Sequence, residues 1–340
     1  MKKNLRNVLA LALGLMTTVS FAQDWNVDSR TRIDMSGDND KMMTNQRATL
    51  GATWGGSNWG IHVSSDVDYL LGSGAASMGI YEAHASADLF GMASVTAGRM
   101  ALDYGSGALM SSRQWSADRT TWDGMSFGLG LSDMADITVG YASFNSGGVD
   151  EEDQGNMHTN ISGEFSGWNV NILYMTNTAS DDAATGIDIS GGIMGASVNA
   201  SMNTDFDGNE MTSYGLSYAV NDDMSVSVGM TSYGDDNGFS MAGTDMSGAD
   251  WSNGQMAYLD GNQEMLSYGL TYNLGGVSLG ASMNTVTDND AGAEDYERNV
   301  MMLDLGYDLS NNASLGLRYA TDEDGTSDSK YTWVTLTVTP

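Results

Sequence analysis

The residues of this chain able to do chemistry are few in kind: three histidines, 13 lysines and arginines, 44 aspartates and glutamates, and no cysteine. His62, His84 and His158 are the candidates for proton transfer, and His62 and His84 would meet near Asp66 or Glu82. Acid–base or nucleophilic catalysis needs such a base within hydrogen-bond reach of a hydroxyl or a water. Serine is so common here that a Ser/His/Asp combination carries no information, and no enzyme is expected. Without cysteine there are no thiolate metal sites, no CxxC redox pair and no disulfides. Asp322–Asp328, Asp205–Glu210 and Asp288–Asp290 resemble oxygen-rich Ca²⁺ loops, but none carries a full ligand ladder. The expectation is no metal site and no cofactor, with Ca²⁺ bridging by acidic outer loops the one alternative.

What remains is recognition by charge. Arg30, Arg32, Arg47, Arg318, Asp66, Asp68, Glu82, His84 and Asp88 share one trait: each falls in the polar phase of an alternating segment. Ser267 to Leu274 shows the unit, with every second residue apolar and its neighbours small or polar. That is the period of a strand with one face in an apolar medium.

The unit recurs from residue 25 onward, near 25–35, 46–55, 59–69, 79–90, 92–102, 122–131, 135–144, 157–166, 168–177, 185–190, 193–203, 211–220, 224–233, 264–274, 277–286, 299–309, 313–321 and 331–338. Most of these segments reach the roughly 9–11 residues that a spanning strand needs. Connections alternate between very short and long. Gly55 to Asn58, Gly91, Gly191-Gly192, Asn221 to Asp223, Gly275-Gly276 and Asn311-Asn312 are short. Loops near 36–45, 70–78, 103–121, 145–156, 178–184, 204–210, 234–263, 287–298 and 322–330 are long. This sorting predicts an all-β fold: a transmembrane antiparallel up-and-down β-barrel of about 18 strands (16 as the alternative), with short periplasmic turns and long extracellular loops. Trp25, Trp54, Trp59, Phe165, Trp168, Tyr218, Tyr272 and Tyr307 cluster near the short-turn end, and Tyr69, Tyr81, Tyr141 and Tyr174 nearer the long-loop end, as two interfacial belts. Residues 1–22 read as a secretory signal peptide: Lys2, Lys3 and Arg6, then an apolar run, then Ser20-Phe21-Ala22. Residues 23–340 form the barrel.

The polar phase must then face the lumen, since a charge at the lipid-facing midplane costs ~2–4 kcal/mol. Closing the barrel pairs the last strand with the first. That brings Arg318, Arg30, Arg32 and Arg47 onto one stretch of wall, with Asp66, Asp68, Glu82 and Asp88 beside them. Separated charges of this kind set a transverse field across a pore.

The third long connection carries Gly98-Arg99, Tyr104-Gly105, Ser112-Arg113, Trp115, Arg119 and Asp123-Gly124. This stretch resembles the alginate-export type of outer-membrane porins. The resemblance implies an 18-stranded barrel, a third loop that folds inward and narrows the pore, and a homotrimer. Asp103, Arg113, Asp118 and Arg119 would then form the constriction.

Net charge is −31, which excludes nucleic acid as a partner, because phosphate binding needs a basic footprint. The reading is a porin of the bacterial outer membrane, surrounded by lipid and lipopolysaccharide. It passes ions and small hydrophilic solutes by passive diffusion, with a preference for cations. The alternative is a structural or surface-interaction barrel whose acidic loops bind a partner or divalent cations. Its best candidate surface is the 234–263 loop, with Phe239, Trp251 and Tyr258 exposed. The same three residues could instead pack down into the barrel mouth.

Overall fold

The computed structural model describes residues 24–36, 42–72, 74–114, 119–131, 135–143, 155–180, 182–234, 238–239, 249–290 and 296–339. The expected signal peptide and Asp118 lie outside the described residues. Eighteen antiparallel strands run in chain order: β1 Asp24–Asp34, β2 Met43–Gly55, β3 Trp59–Leu71, β4 Ala75–Leu89, β5 Ala93–Met100, β6 Trp122–Leu131, β7 Ala135–Ser143, β8 Gly155–Phe165, β9 Trp168–Asn177, β10 Ala183–Ile193, β11 Ala196–Thr204, β12 Glu210–Ala219, β13 Met224–Tyr233, β14 Gln263–Leu274, β15 Val277–Asp288, β16 Glu297–Ser310, β17 Ala313–Glu323 and β18 Asp328–Val338. Each pairs with its sequence neighbours, and β1 pairs with β18 from Ser29↔Val338 to Asp34↔Trp333, so the sheet closes on itself. Closure leaves no edge, which is what a sheet in hydrocarbon requires.

Alternation decides which face meets lipid. On β16, Met301, Leu303, Leu305 and Tyr307 are exposed on the outer surface, while Val300 and Met302 are buried inside. The same holds for Leu266, Tyr268 and Leu270 on β14 and for Ile187 and Ile189 on β10. Trp25, Trp59, Phe165, Tyr218 and Tyr307, near the short-turn end, all lie exposed on the outer face. In water such a surface would be insoluble; in a bilayer it is the solvent-matched one.

Two expectations about local structure are corrected. The glycine pair Gly191-Gly192 is not a turn. β10 continues through it to Ile193, and the reversal is made by Met194 and Gly195, both at positive φ. A Cβ on Gly191 would meet the ring of Trp168 at 2.6 Å, so this glycine clears space for a cross-strand aromatic. Tyr81 does not join the outer aromatic belt. A bulge sets Ser64 opposite Glu82 and Ser65 opposite Ile80, leaving Tyr81 as the extra residue, and it turns inward and is buried. One inserted residue reverses the phase: Met78 and Ile80 point out before it, and His84 and Ser86 lie in the inward phase after it.

The interior is occupied by two long connections. Residues 101–114 and 119–121, between β5 and β6, lie inside the barrel. Leu102, Ala108, Leu109 and Met110 pack with Trp122, Leu173, Met175, Ala184 and Met211 of the inner wall. Residues 249–262, before β14, also turn inward, and Trp251 packs against Val300, Met302, Ala320 and Trp333. An apolar inner wall over β6–β12 is unusual for a wet lumen, and the loop that covers it accounts for it.

Candidate functional site: the lumen wall and its two inward loops

Register builds a row of arginines. Arg30 lies directly opposite Arg47 across β1–β2, and Arg32 is two residues along on the same face. Arg30, Arg32 and Arg47 are each less than 9% exposed. With Asp34, Asp66, Asp68, Arg119 and Ser252 they line a cavity of about 710 Å³. Arg318, brought round by closure, lines an adjoining cavity of about 450 Å³ with Arg30, Arg32, Asp304 and again Ser252. Like charges at this spacing repel, so the row persists only where carboxylates and carbonyls answer it.

The answers are specific. Arg318 Nε donates to Asp304 Oδ1 at 2.6 Å across β16–β17. Arg47 Nη2 donates to the Gln114 carbonyl at 2.8 Å, tying the 101–121 loop to β2. Arg119, at the far end of that loop, ion-pairs with Asp66 and donates to Thr49 Oγ1 at 2.8 Å. Its guanidinium lies 3.4 Å from the centre of the Tyr81 ring. Arg32 Nη1 donates to Ser252 Oγ at 2.7 Å.

The other predicted residues are placed as follows. Glu82 sits between His62 and His84, 3.7 and 3.8 Å from their Nε2 atoms, and the two imidazoles stack at 5.3 Å. Glu82 also accepts from the Ala101 amide at 3.1 Å, at the root of the inward loop. His62 Nδ1 shares a hydrogen bond with Thr53. Asp88 lies at the β4–β5 turn, where its carboxylate accepts from the Gly91 amide. Asp103 accepts from Ser111 Oγ, the Ser112 amide and Ser112 Oγ, so it shapes the loop from within. Arg113 Nη2 donates to Gln255 Oε1 at 3.1 Å and joins the two loops. His158, far from the other two histidines in the barrel order, meets Tyr104 Oη at 3.3 Å.

Burial pushes the phenol of Tyr104 up to about 12, and that of Tyr258 higher still. Tyr258 Oη donates to the Ala108 carbonyl at 2.6 Å, a second link between the loops. Across the barrel, nine strands from β1 along the sheet, Asp188 on β10 joins Asp136, Glu164, Asn169, Asn171 and Ser201 around a third cavity of about 570 Å³. Gly105 closes over it. At φ +58 it takes a left-handed conformation, and a side chain there would collide with Asp188 and Asn171.

Among the described residues of the acidic outer loops, Asp205 and Asp324 build turns. Asp205 accepts from the Asp207 and Asn209 amides, and Asp324 from Thr326 and Ser327, which holds its carboxyl well below the usual range. No group of three or more metal-type ligands converges among the described residues. The 234–263 loop is not a docking surface at its aromatic residues: Phe239 and Trp251 are 3% and 5% exposed, and Tyr258 is packed beside Phe239.

Alternation exposed the wall residues, but not Tyr81, Asp250 or Ser252. The bulge has no sequence marker, and an Asp-Trp-Ser-Asn turn reads like any polar loop.

A closed 18-stranded barrel with a lipid-matched exterior and a polar, charged interior defines an outer-membrane channel for small solutes. The chain belongs to the Gram-negative porin family, whose profile matches residues 9–339. No curated protein matches it in sequence. Among solved structures it is similar to Pseudomonas aeruginosa OccK11 (OpdR), at 15% identity and a TM-score of 0.71 over 94% of this chain and 96% of that one. It is also similar to P. aeruginosa OccK1 (OpdK), at 12% identity and a TM-score of 0.73 over 94% and 99%. OccAB4 of Acinetobacter baumannii gives 12% and 0.71 over 93% and 97%. The expected alginate-export relationship is not supported: the matching family is that of Gram-negative porins, and the similar solved structures are Occ proteins.

Proposed function

We propose that the protein is a passive diffusion channel that admits ions and small hydrophilic solutes, prefers small cations in bulk flow, and narrows where the two inward loops face the arginine row. The carrying observation is the charge balance of the lumen. Asp304 pairs with Arg318 and Asp66 with Arg119, and Asp66 and Asp68 line the same cavity as Arg30, Arg32 and Arg47. The opposite wall adds Asp136, Glu164 and Asp188. With a net charge of −31 over the chain, the summed field favours cations at the mouths.

A second reading is favoured by the 710 Å³ cavity itself: an anionic group on a solute would lie against Arg30, Arg32 and Arg47. One similar structure is of OpdK with vanillate, a carboxylate. The two readings coexist if small ions follow the net field and a larger solute follows the local one. The surface-interaction alternative loses its best surface with the burial of Trp251 and Phe239.

The test is single-channel recording in a planar bilayer under a KCl gradient. A reversal potential of cationic sign is expected. A reversal potential of anionic sign would overturn the cation preference, and no conductance from folded barrels would overturn the channel. Arg113→Ala, which cuts the Gln255 link, should change single-channel conductance; an unchanged channel would remove that link from the constriction.

A further inference from the structure

We propose that the wall opposite the arginine row holds a subsite for an uncharged polyhydroxylated solute, of the sugar or polyol class, between the tip of the 101–121 loop and the short-turn mouth. The inference rests on the channel reading above and names a solute class for it.

No lysine or arginine occurs between Arg119 and Arg298, so strands β6 to β15 carry no basic side chain to hold an anion. What they carry is a grid of short polar groups. Register sets Asn171, Asp188 and Ser201 side by side on β9, β10 and β11. Two residues nearer the short turns, Asn169, Ser190 and Asn199 stand side by side in the same way. All six line the cavity of about 570 Å³, a volume within the roughly 300–1,000 Å³ of small-molecule sites.

The first row is held in place. Asn160 Nδ2 donates to Asn171 Oδ1 at 2.7 Å, which engages the acceptor of Asn171 and leaves its amide N–H groups to the cavity. Asn203 Nδ2 donates to Ser201 Oγ at 2.7 Å, and Ser201 shares a hydrogen bond of 3.1 Å with Ser106 of the loop tip. Asn171 Nδ2 and Asp188 Oδ1 are buried with no protein partner. Buried polar atoms are nearly always hydrogen-bonded, so an unpaired donor beside an unpaired acceptor points to a group that supplies both. Hydroxyls on adjacent carbons do so: one O–H donates to Asp188 and the next oxygen accepts from Asn171. An ammonium has donors only and leaves Asn171 unanswered, and a carboxylate meets Asp188 as a like charge. Gly105 lies over the pair, so a small shift of the loop tip opens it to solute.

The path continues without charge. A cavity of about 740 Å³ shares Asn169, Ser190 and Asn199 with the first and reaches Gly167 in the β8–β9 turn. Ser197, Ser217, Ser227, Ser267, Ser282 and Asn284 line it, and no charged residue does. A cation leaving the first cavity finds no carboxylate there, whereas a polyol exchanges one hydroxyl or amide partner for the next. Asp136 and Glu164, the other carboxylates of the first cavity, are exposed near the turns, where water and salt screen them.

The experiment titrates sucrose into a planar bilayer holding the full barrel and reads K⁺ conductance. The wild type should show a saturable fall, beyond the linear fall that polyethylene glycol of equal size produces through viscosity. Asp188→Ala and Asn171→Ala should each raise the half-saturating sucrose concentration about tenfold, the effect of losing one hydrogen bond to a buried partner. An unchanged value in either variant overturns the proposal. If Asp188→Ala does not insert, Asn171→Ala decides by the same criterion. Choline tests the acidic alternative: a choline block abolished in Asp188→Ala, with the sucrose block intact, would assign the cavity to cations and overturn the polyol class. A wild-type barrel that carries no current removes the channel reading and this inference with it. A conducting wild type with no saturable response to sucrose removes the subsite alone.

Discussion

Tyr81 and Arg119 show how one residue anchors a loop. The tyrosine reaches the lumen only because the bulge inserts it, and Arg119 then lies over its ring while pairing with Asp66. A cation–π contact of this kind is worth ~0.5–2 kcal/mol. Tyr81→Ala should therefore loosen the far end of the 101–121 loop and raise open-channel current noise, whereas Tyr81→Phe, which keeps the ring, should record like the wild type. Equal noise in the two variants would assign no anchoring to the ring. The arginine row was legible from alternation alone, because Arg30, Arg32 and Arg318 sit in the polar phase of their strands. Tyr81 was not, because its phase follows from a register shift that no residue announces.

At the scale of elements, the 101–121 loop is held by apolar burial at one end and by charge at the other. Leu109 and Met110 are 2% and 0% exposed. Leu→Ala at such a site typically costs ~2–5 kcal/mol. Leu109→Ala should expose the loop, so that trypsin cleaves after Arg113 in barrels whose wild-type form resists; resistance in the variant would place the loop's stability elsewhere. The phenol of Tyr104 adds a pH dependence. Its folded value, about 12, lies above the ordinary value of about 10 for a free tyrosine. The neutral form is the docked one, so docking is intact below pH ~10 and weakens as pH rises from ~10 through about 12. Tyrosinate absorbance of the wild type, compared with Tyr104→Phe, should show a group titrating near 12; a difference titrating near 10 would mean the loop is undocked. The length of this loop was plain in the sequence, and its inward path was expected from a resemblance. The inward path of 249–262 was one of two alternatives, since its aromatics read equally well as a surface or as packed into the barrel mouth.

At the scale of the molecule, lipid on one side and water on the other make the two faces of each strand unequal. Leu305 is exposed on the outer face, and Ser282 lines a lumen cavity of about 740 Å³. Leu305→Arg should lower folding stability in vesicles by ~2–4 kcal/mol, and Ser282→Arg by far less. Equal losses measured by urea titration would contradict the assignment of faces.

The strand period, the sorting of turns by length and the phase of the charges determined the compartment, the barrel and the strand number of this protein before any coordinate was known. All three are local or near-local properties, written in spacings of two residues and in hairpin lengths. Closure could be inferred, because a sheet in hydrocarbon can have no edge. The tertiary structure alone decided which carboxylate meets which arginine, that Gly191 spaces a tryptophan, that Tyr81 turns inward, and that a short Asp-Trp-Ser-Asn turn hangs over Arg30 and Arg32. Those depend on register, on bulges and on the path of long loops, where contacts join residues as far apart as Arg32 and Ser252 and no periodicity records the partner.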